Sequence, residues 1–483
     1  MKFLNPLRIF PKAKSDGSLN GEPVSPCIRG FVLRRHFLSV ALALVLNLAR
    51  VSRSFGQESD LGYRHEFYRE DGDRMSIDTD SFLLDAKINS HLRVTGTYVI
   101  DSISGATPIG APPQKKWPFA NFNDLYSRAY GQAYTSQFNQ YVSQNQIYVD
   151  AGYETFQQMT NQAAQFAQQS APGIATNSAS ASYHSLTNNS NYRKSTVPLA
   201  KLHDRRQAFS IGLPISWGRH ELTPSFSHSE ETDYKSIGGA LNYSLSLNEK
   251  NTTLNFGYAH NADRARDDKF VWEDKTSDNL LVGFIQLLSP KSYVTFNFVF
   301  NNDYGYLSDP YRGVMVFNNY PQFNPDDPAL IPEVRPRHRS SEVIYGSYTQ
   351  FIEPLDGSLD ASLRFFHDSW GIISATTSLD WHQKLGKHFV LTPTFRYTYQ
   401  TAADFYYVLV PDYLNLPAAY SSDYRLSQME TFTMGLSLTW RVAKHVSFDA
   451  SYYRYVMRGL DGVTSQSAYP SANVGSVGLR IWF

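Results

Sequence analysis

From Thr431 to Trp440 every second residue is large and apolar. Phe432, Met434, Leu436, Leu438 and Trp440 alternate with Thr431, Thr433, Gly435, Ser437 and Thr439. A helix cannot gather such a set on one side, because its repeat is 3.6 residues; an extended strand, whose side chains point alternately to two faces, must. The pattern recurs along the chain. Leu92, Val94, Gly96, Tyr98 and Ile100 alternate with Arg93, Thr95, Thr97 and Asp101, and Leu241, Tyr243, Leu245 and Leu247 with Asn242, Ser244 and Ser246. Leu254, Phe256 and Tyr258, and then Val294, Phe296, Phe298 and Phe300, repeat it. The last residues do the same: Val477, Leu479, Ile481 and Phe483 alternate with Ser476, Gly478, Arg480 and Trp482. A soluble sandwich would also alternate, but its polar face would meet water and carry many Lys and Glu. Here that face is Ser, Thr, Asn and Gly, which suits a crowded wet interior. The apolar face then looks outward into lipid, which describes a transmembrane antiparallel β-barrel of all-β class.

Connection lengths give an independent test. Strands are expected near 61–70, 75–88, 92–104, 205–217, 220–230, 234–247, 252–262, 276–288, 291–304, 340–352, 358–368, 371–384, 389–405, 425–441, 446–459 and 472–483. Every second connection is tight, such as "WGR", "NEKN" and "LGKH", whereas 105–204, 263–275, 305–339, 406–424 and 460–471 are longer. Short periplasmic turns alternating with long surface loops make an even count of about 16 strands, with 14 or 18 if one hairpin is misread. Trp381, Trp440, Phe448, Trp482 and Phe483 fall at the expected periplasmic strand ends, where an aromatic girdle belongs. Leu479, Ile481 and Phe483 on the closing strand read as the signal for the barrel-assembly machinery.

Helical membrane spans are excluded, since no run of ~18 to 20 apolar residues occurs. The mean hydropathy of −0.38 does not argue against a barrel, because only alternate residues meet lipid. A formal net charge of +0 gives no reason to expect a nucleic-acid partner. The apolar segment Phe37–Ala49, preceded by Arg29, Arg34 and Arg35, has the pattern of a cleaved signal peptide. Residues 1–56 are therefore read as leader, 57–483 as barrel and 109–200 as an insert within it, with the Gram-negative outer membrane and its lipid as destination. The single cysteine, Cys27, lies ahead of the apolar segment, so the mature part has no disulfide or thiol chemistry.

The insert departs from the strand pattern. Residues 131–170 hold 11 Gln, and there is no Lys or Arg from Ala129 to Tyr192. Tyr126, Tyr130, Tyr134, Phe138 and Tyr141 recur at helical spacing, as do Phe156, Met159, Ala163 and Phe166. Two readings stand: a disordered surface loop, or a helical hairpin whose Tyr126–Tyr141 stripe plugs the lumen.

No motif for a cofactor, metal or catalytic centre stands out. "DSISGATP" (101–108) lacks the Lys of a phosphate loop and reads as a strand breaking into a loop. Asp326, Asp327 and Glu333 lack the alternate spacing of a calcium loop. Asp380 and His382 share a face, but nothing marks a nucleophile beside them. Arg364, Asp368, Arg396, Asp404, Arg441 and Asp449 are expected on lumen faces, paired across strands, where a few could set ion selectivity.

The phrases "EFYREDGDRMSIDT", "DSISGATP", "GYLSDPYRGV", "RFFHDSWGI", "FRYTYQTAADFYY" and "SDYRLS" resemble a family of uncharacterised bacterial outer-membrane proteins, the domain of unknown function 3570, from about Tyr63 to Phe483. The resemblance implies a β-barrel with no established activity. It also implies an association with small lipoproteins and flavin-transferring proteins, and hence envelope redox work, although no flavin-binding residues are recognisable here. The function expected is a channel or gated pore for a small solute, or else a non-conducting scaffold that anchors a periplasmic or lipoprotein partner. An enzyme is not expected.

Overall fold

The computed structural model describes residues 59–72, 74–110, 122–152, 155–188, 199–316, 329–410 and 415–483, so the leader, Asp326 and Asp327 lie outside the described residues. Each alternating segment forms a strand. They are β1 (Asp60–Glu70), β2 (Met75–Lys87), β3 (Arg93–Pro108), β4 (Leu199–Gly212, resuming at Ile215–Trp217), β5 (His220–Glu230), β6 (Tyr234–Leu247), β7 (Thr252–Arg266) and β8 (Trp272–Ser289). Then come β9 (Ser292–Gly305), β10 (His338–Ile352), β11 (Gly357–Asp368), β12 (Ile373–Leu385), β13 (Phe389–Gln400), β14 (Met429–Ala443), β15 (Val446–Gly459) and β16 (Ser471–Trp482). Pro214, which has no N–H to give, marks the break in β4.

Each strand pairs antiparallel with the next, and β16 pairs with β1 from Asp60↔Trp482 to Glu70↔Ala472, closing a ring of 16 staves. Phe483 completes the seam: its N–H donates to the Ser59 carbonyl at 2.8 Å, and the Ser59 N–H donates back at 2.9 Å. Closure leaves no unpaired edge. At one end the connections are tight, with Gly218 (φ 60°) and Gly386 (φ 66°) supplying left-handed turns. The long connections all leave from the other end.

The faces divide as the alternation requires. Leu436 and Leu438 are exposed on the outside of β14, with Leu241, Phe256, Phe296 and Leu363 on other staves. The inward set is linked by small polar side chains: Ser244 to Asn255 at 2.6 Å, Thr376 to Thr398 at 3.0 Å and Ser451 to Ser476 at 2.8 Å. An outward aromatic girdle sits at the tight-turn end, where Phe389 stacks on Trp440 at 5.9 Å and Trp217 on His220 at 5.7 Å. Trp482 is not part of it; it shares the inward face of Arg480, whose guanidinium lies 5.5 Å above its ring.

The insert folds as two long helices, α1 (Phe122–Asp150) and α2 (Phe156–Asn188). Along α2, Met159, Ala163, Ala167, Ala171, Ala175 and Ala179 recur every four residues and are all buried. Small side chains at this spacing let α1, with buried Ala129 and Ala133, approach closely. The tyrosine stripe makes ring contacts within the hairpin. Tyr126, Tyr130, Tyr134 and Phe138 stack on one another along α1 at 6.2–6.4 Å, and Tyr141 packs on Phe166 and donates its hydroxyl to Gln162. Among the described residues no barrel strand runs in sustained contact with either helix.

Leu436 faces out and Ser437 faces in, one residue apart on β14. Leu436→Arg should cost about 2–4 kcal/mol by placing a charge in the lipid band. Ser437→Arg should be near neutral. Denaturant unfolding of both variants in lipid vesicles checks this, and equal losses would mean that the two faces are misassigned.

Candidate functional site

Two of the long connections do not behave as loops. The segment after β9 forms short strands Gly313–Val316 and Ala329–Pro332, and the segment after β13 adds Leu409–Val410 in parallel, making a three-stranded sheet outside the barrel wall. Val314, Val316 and Val410 are fully buried with Tyr420 in its core. A second core joins Trp370, Ile372, Ala403, Phe405 and Leu426, and a third joins Tyr424 to Met429, Met457, Ala468 and Tyr469. These segments therefore have interiors of their own.

Their anchors show where this cap lies. Leaving the ring between β9 and β10, Gly313 donates its N–H to the Ile109 carbonyl at 2.7 Å, just past the end of β3. Arg312 donates to the Pro108 carbonyl and, at 2.9 Å, to Thr107 Oγ1. Tyr311 donates to Asp233 in the β5–β6 turn. From β9 to β3 is six staves, in a ring whose far side is eight away. The connection thus crosses the mouth of the barrel. The approach is tight: a Cβ on Gly110 would lie 2.8 Å from the Gly313 carbonyl oxygen.

The crossing is held by buried charge. Asp423, only 1% exposed at its side chain, receives Arg425 Nε at 2.9 Å and Arg335 Nη2 at 2.9 Å, with Arg312 Nε 3.8 Å away. Arg425 also reaches Asp309 at 2.7 Å, and Arg335 forms a 2.7 Å ion pair with Glu333. Glu333 accepts from the Asp309 N–H at 2.6 Å and from Ser421 Oγ. Three guanidiniums meet three carboxylates, so the latch is charge-balanced, as burial of charge requires. Burial raises the pKa of Asp423, but the Arg425, Arg312 and Arg335 guanidiniums outweigh it and hold the carboxyl well below the usual range. Burial prevails at Glu333, whose pKa is raised despite Arg335.

The expected lumen charges fall into two groups. Arg364, Arg396, Arg441 and Asp449 lie on the inward faces of β11, β13, β14 and β15. Asp449 is 3.7 Å from Arg64, so its partner is on β1. Among the described residues, the other three have no carboxylate within ion-pair distance, and the expected pairing across strands does not form for them. Asp368 shares the inward parity of Arg364 at the top of β11 and does pair across strands, accepting from Arg339 Nε of β10 at 2.8 Å; it also anchors the following turn, accepting from the Trp370 and Ile372 N–H groups at 3.0 and 2.9 Å. Asp404 is displaced from the lumen face altogether, because β13 ends at Gln400 and the chain turns away into the cap. Asp380 and His382 each contact a threonine, Thr394 and Thr392, and not each other. At the rim, carboxylate oxygens of Asp204, Glu231 and Asp233 lie within 4.8 Å of one another, and burial pushes Glu231 up to about 7.

Sequence reasoning placed Glu333 only in a solvated surface loop and missed Arg312, Arg335, Asp423 and Arg425. The available signal was the density of charges and aromatics in 305–339 and 406–424, unusual for segments free in solvent.

The family described as "protein of unknown function (DUF3570)" matches residues 39–268 and 259–472. The chain belongs to that family. No curated protein matches it. Among solved structures it is similar to the siderophore receptor PirA from Pseudomonas aeruginosa, at 10% identity and a TM-score of 0.38, covering 87% of this chain and 61% of that one. CdiB from Acinetobacter baumannii aligns at 7% identity and 0.41, covering 88% and 60%, so the chain spans about three fifths of these two proteins. The outer membrane protein opdK from Pseudomonas aeruginosa aligns at 8% identity and 0.35, covering 88% and 99%.

Asp423→Ala removes the carboxylate that three guanidiniums share and leaves Asp309 and Glu333 to serve all three, which should cost the cap about 3–5 kcal/mol. Limited proteolysis should then cut within 401–428 while the barrel stays folded. The pH response has a definite sign. The depressed pKa of Asp423 contributes stability that is present above its ordinary value of 3.8 and lost as pH falls below it. The raised pKa of Glu333 acts oppositely, favouring its neutral form. The cap should therefore resist protease from neutral pH down to about 4 and open only in stronger acid.

Proposed function

We propose that this barrel passes a small solute across the bacterial outer membrane, through a lumen whose mouth is gated by the folded cap. The observation that carries the reading is the Arg312–Asp423 latch spanning the mouth of a polar-lined ring. About sixteen strands otherwise enclose an aqueous channel. A cap rooted only at strand ends can loosen without breaking a ladder hydrogen bond. In this reading the chain is exported by a cleaved signal peptide, inserted by the barrel-assembly machinery and is not an enzyme. A second reading, a non-conducting scaffold, is favoured by the helical hairpin. It makes no sustained contact with the wall and offers itself to a lipoprotein or other envelope partner.

Planar-bilayer conductance separates the two. Asp423→Ala should conduct more than wild type, or open more often. Deleting Gln114 to Ser195, which removes the hairpin, should leave conductance unchanged. If wild type and Asp423→Ala both remain silent while folded, the scaffold reading replaces the pore.

Phe483→Ser tests assembly. Removing the terminal aromatic and its place beside Ser59 should lower the amount of heat-shifted, folded barrel recovered from membranes several-fold. Wild-type abundance of that band would end the role given to Phe483.

A further inference from the structure

The outer face of the barrel is not uniform above its apolar band. On several staves outside this arc the outward face carries paired groups, such as His65 with Asp80 at 3.0 Å and Arg458 with Glu430 at 3.3 Å. These side chains share the outward face with apolar residues of the same strands, so they mark polar points on the wall above its lipid-facing part. On β4, β6 and β7 the strands rise past that level with basic outward side chains, flanked by Glu230 on β5 and Asp274 on β8.

Lys201, His203 and Arg205 share the exposed face of β4 with Phe209 and Ile211 below them. Among the described residues none of the three has an ion-pair partner. On β6 and β7, Lys235, Arg264 and Arg266 surround the indole of Trp272 on β8, at 5.6, 6.0 and 4.9 Å from its ring. Lys235 pairs with Glu230 at 2.7 Å and Arg264 with Asp274 at 3.2 Å. Arg266 pairs with no carboxylate, and its buried Nε has no hydrogen-bond partner among the described residues. The outward face of this arc thus carries Lys201, Arg205, Lys235, Arg264 and Arg266 beside the carboxylates Glu230 and Asp274, directly above the lipid-facing band, with Asp267 and Asp268 in the β7–β8 turn and the Asp204, Glu231 and Asp233 cluster at the same rim.

We propose that this arc binds the phosphate groups of an outer-leaflet glycolipid, whose acyl chains lie against the apolar band below. Charge selects the headgroup, and continuity with the lipid-facing surface selects a lipid over a soluble anion. Guanidinium forks match phosphate oxygens in pairs, and Trp272 fixes three of the cations at low entropic cost. Uncommitted Lys201, Arg205 and Arg266 carry the attraction, since the other two cations are already neutralised. The proposal rests on the outer-membrane reading and not on conduction.

The test uses the full barrel in detergent and its Lys201→Ala/Arg205→Ala/Arg266→Ala variant, with heat-shifted migration as the check of folding. Native mass spectrometry with added lipopolysaccharide should show wild type binding at least about tenfold more tightly than the variant, since each basic residue near an anionic headgroup layer contributes on the order of 1 kcal/mol. Phosphatidylcholine, which has no net charge, should not distinguish the two proteins. Equal lipopolysaccharide affinity in the two folded proteins overturns the proposal. So does competition by millimolar inorganic phosphate that abolishes wild-type binding, because the site would then be one for a free anion. Recovery of the barrel from a fraction other than the outer membrane overturns the localisation itself, a separate result from either.

Discussion

Everything in this molecule follows from the pairing of β16 with β1. In hydrocarbon a backbone N–H or C=O has no water to turn to, and each one left unpaired costs several kcal/mol. A sheet in lipid must therefore close, and the seam from Asp60↔Trp482 to Glu70↔Ala472 closes this one. Closure by antiparallel neighbours makes the stave count even and puts Ser59 and Phe483 at the same end. It also commits every side chain to one of two environments. Outward Leu436 and inward Ser437 are adjacent in sequence and opposite in solvent, so a register slip of one residue would invert the whole wall.

That constraint explains what the sequence made legible. Period-2 alternation is a local property, and each of the sixteen segments carries it without help from the others. The tight turns are local too. The cap is not. Arg312 and Pro108 stand 204 residues apart, and Ser421 and Glu333 stand 88 apart. No periodicity announces such partners. Asp404 shows the cost: alternation carried past Gln400 would place it on the lumen face, yet the chain has already left the sheet. The tyrosine stripe shows another limit. Helical spacing says that a face of α1 is covered, not what covers it. The partner helix was itself legible in the sequence, as the line of small buried residues from Ala163 to Ala179, each four residues from the next.

The cap and the wall are held by different physics, and this difference matters for function. The wall is held by ladder hydrogen bonds that cannot be released in lipid. The cap is held by apolar clusters and by one charge-balanced latch in which Asp423 serves three arginines. A buried carboxylate shared in this way is satisfied only when all its partners are in place, so intermediate positions of the cap leave an unpaired charge and are disfavoured. If the cap gates the mouth as proposed, this arrangement favours two states, latched and released, over a continuum. Release exposes the latch charges to water, where they are well solvated, and disturbs no stave. On the proposed gating, a mouth built this way opens while the ring that carries it stays closed, with inward Arg364 and Arg396, which have no ion-pair partner among the described residues, below it.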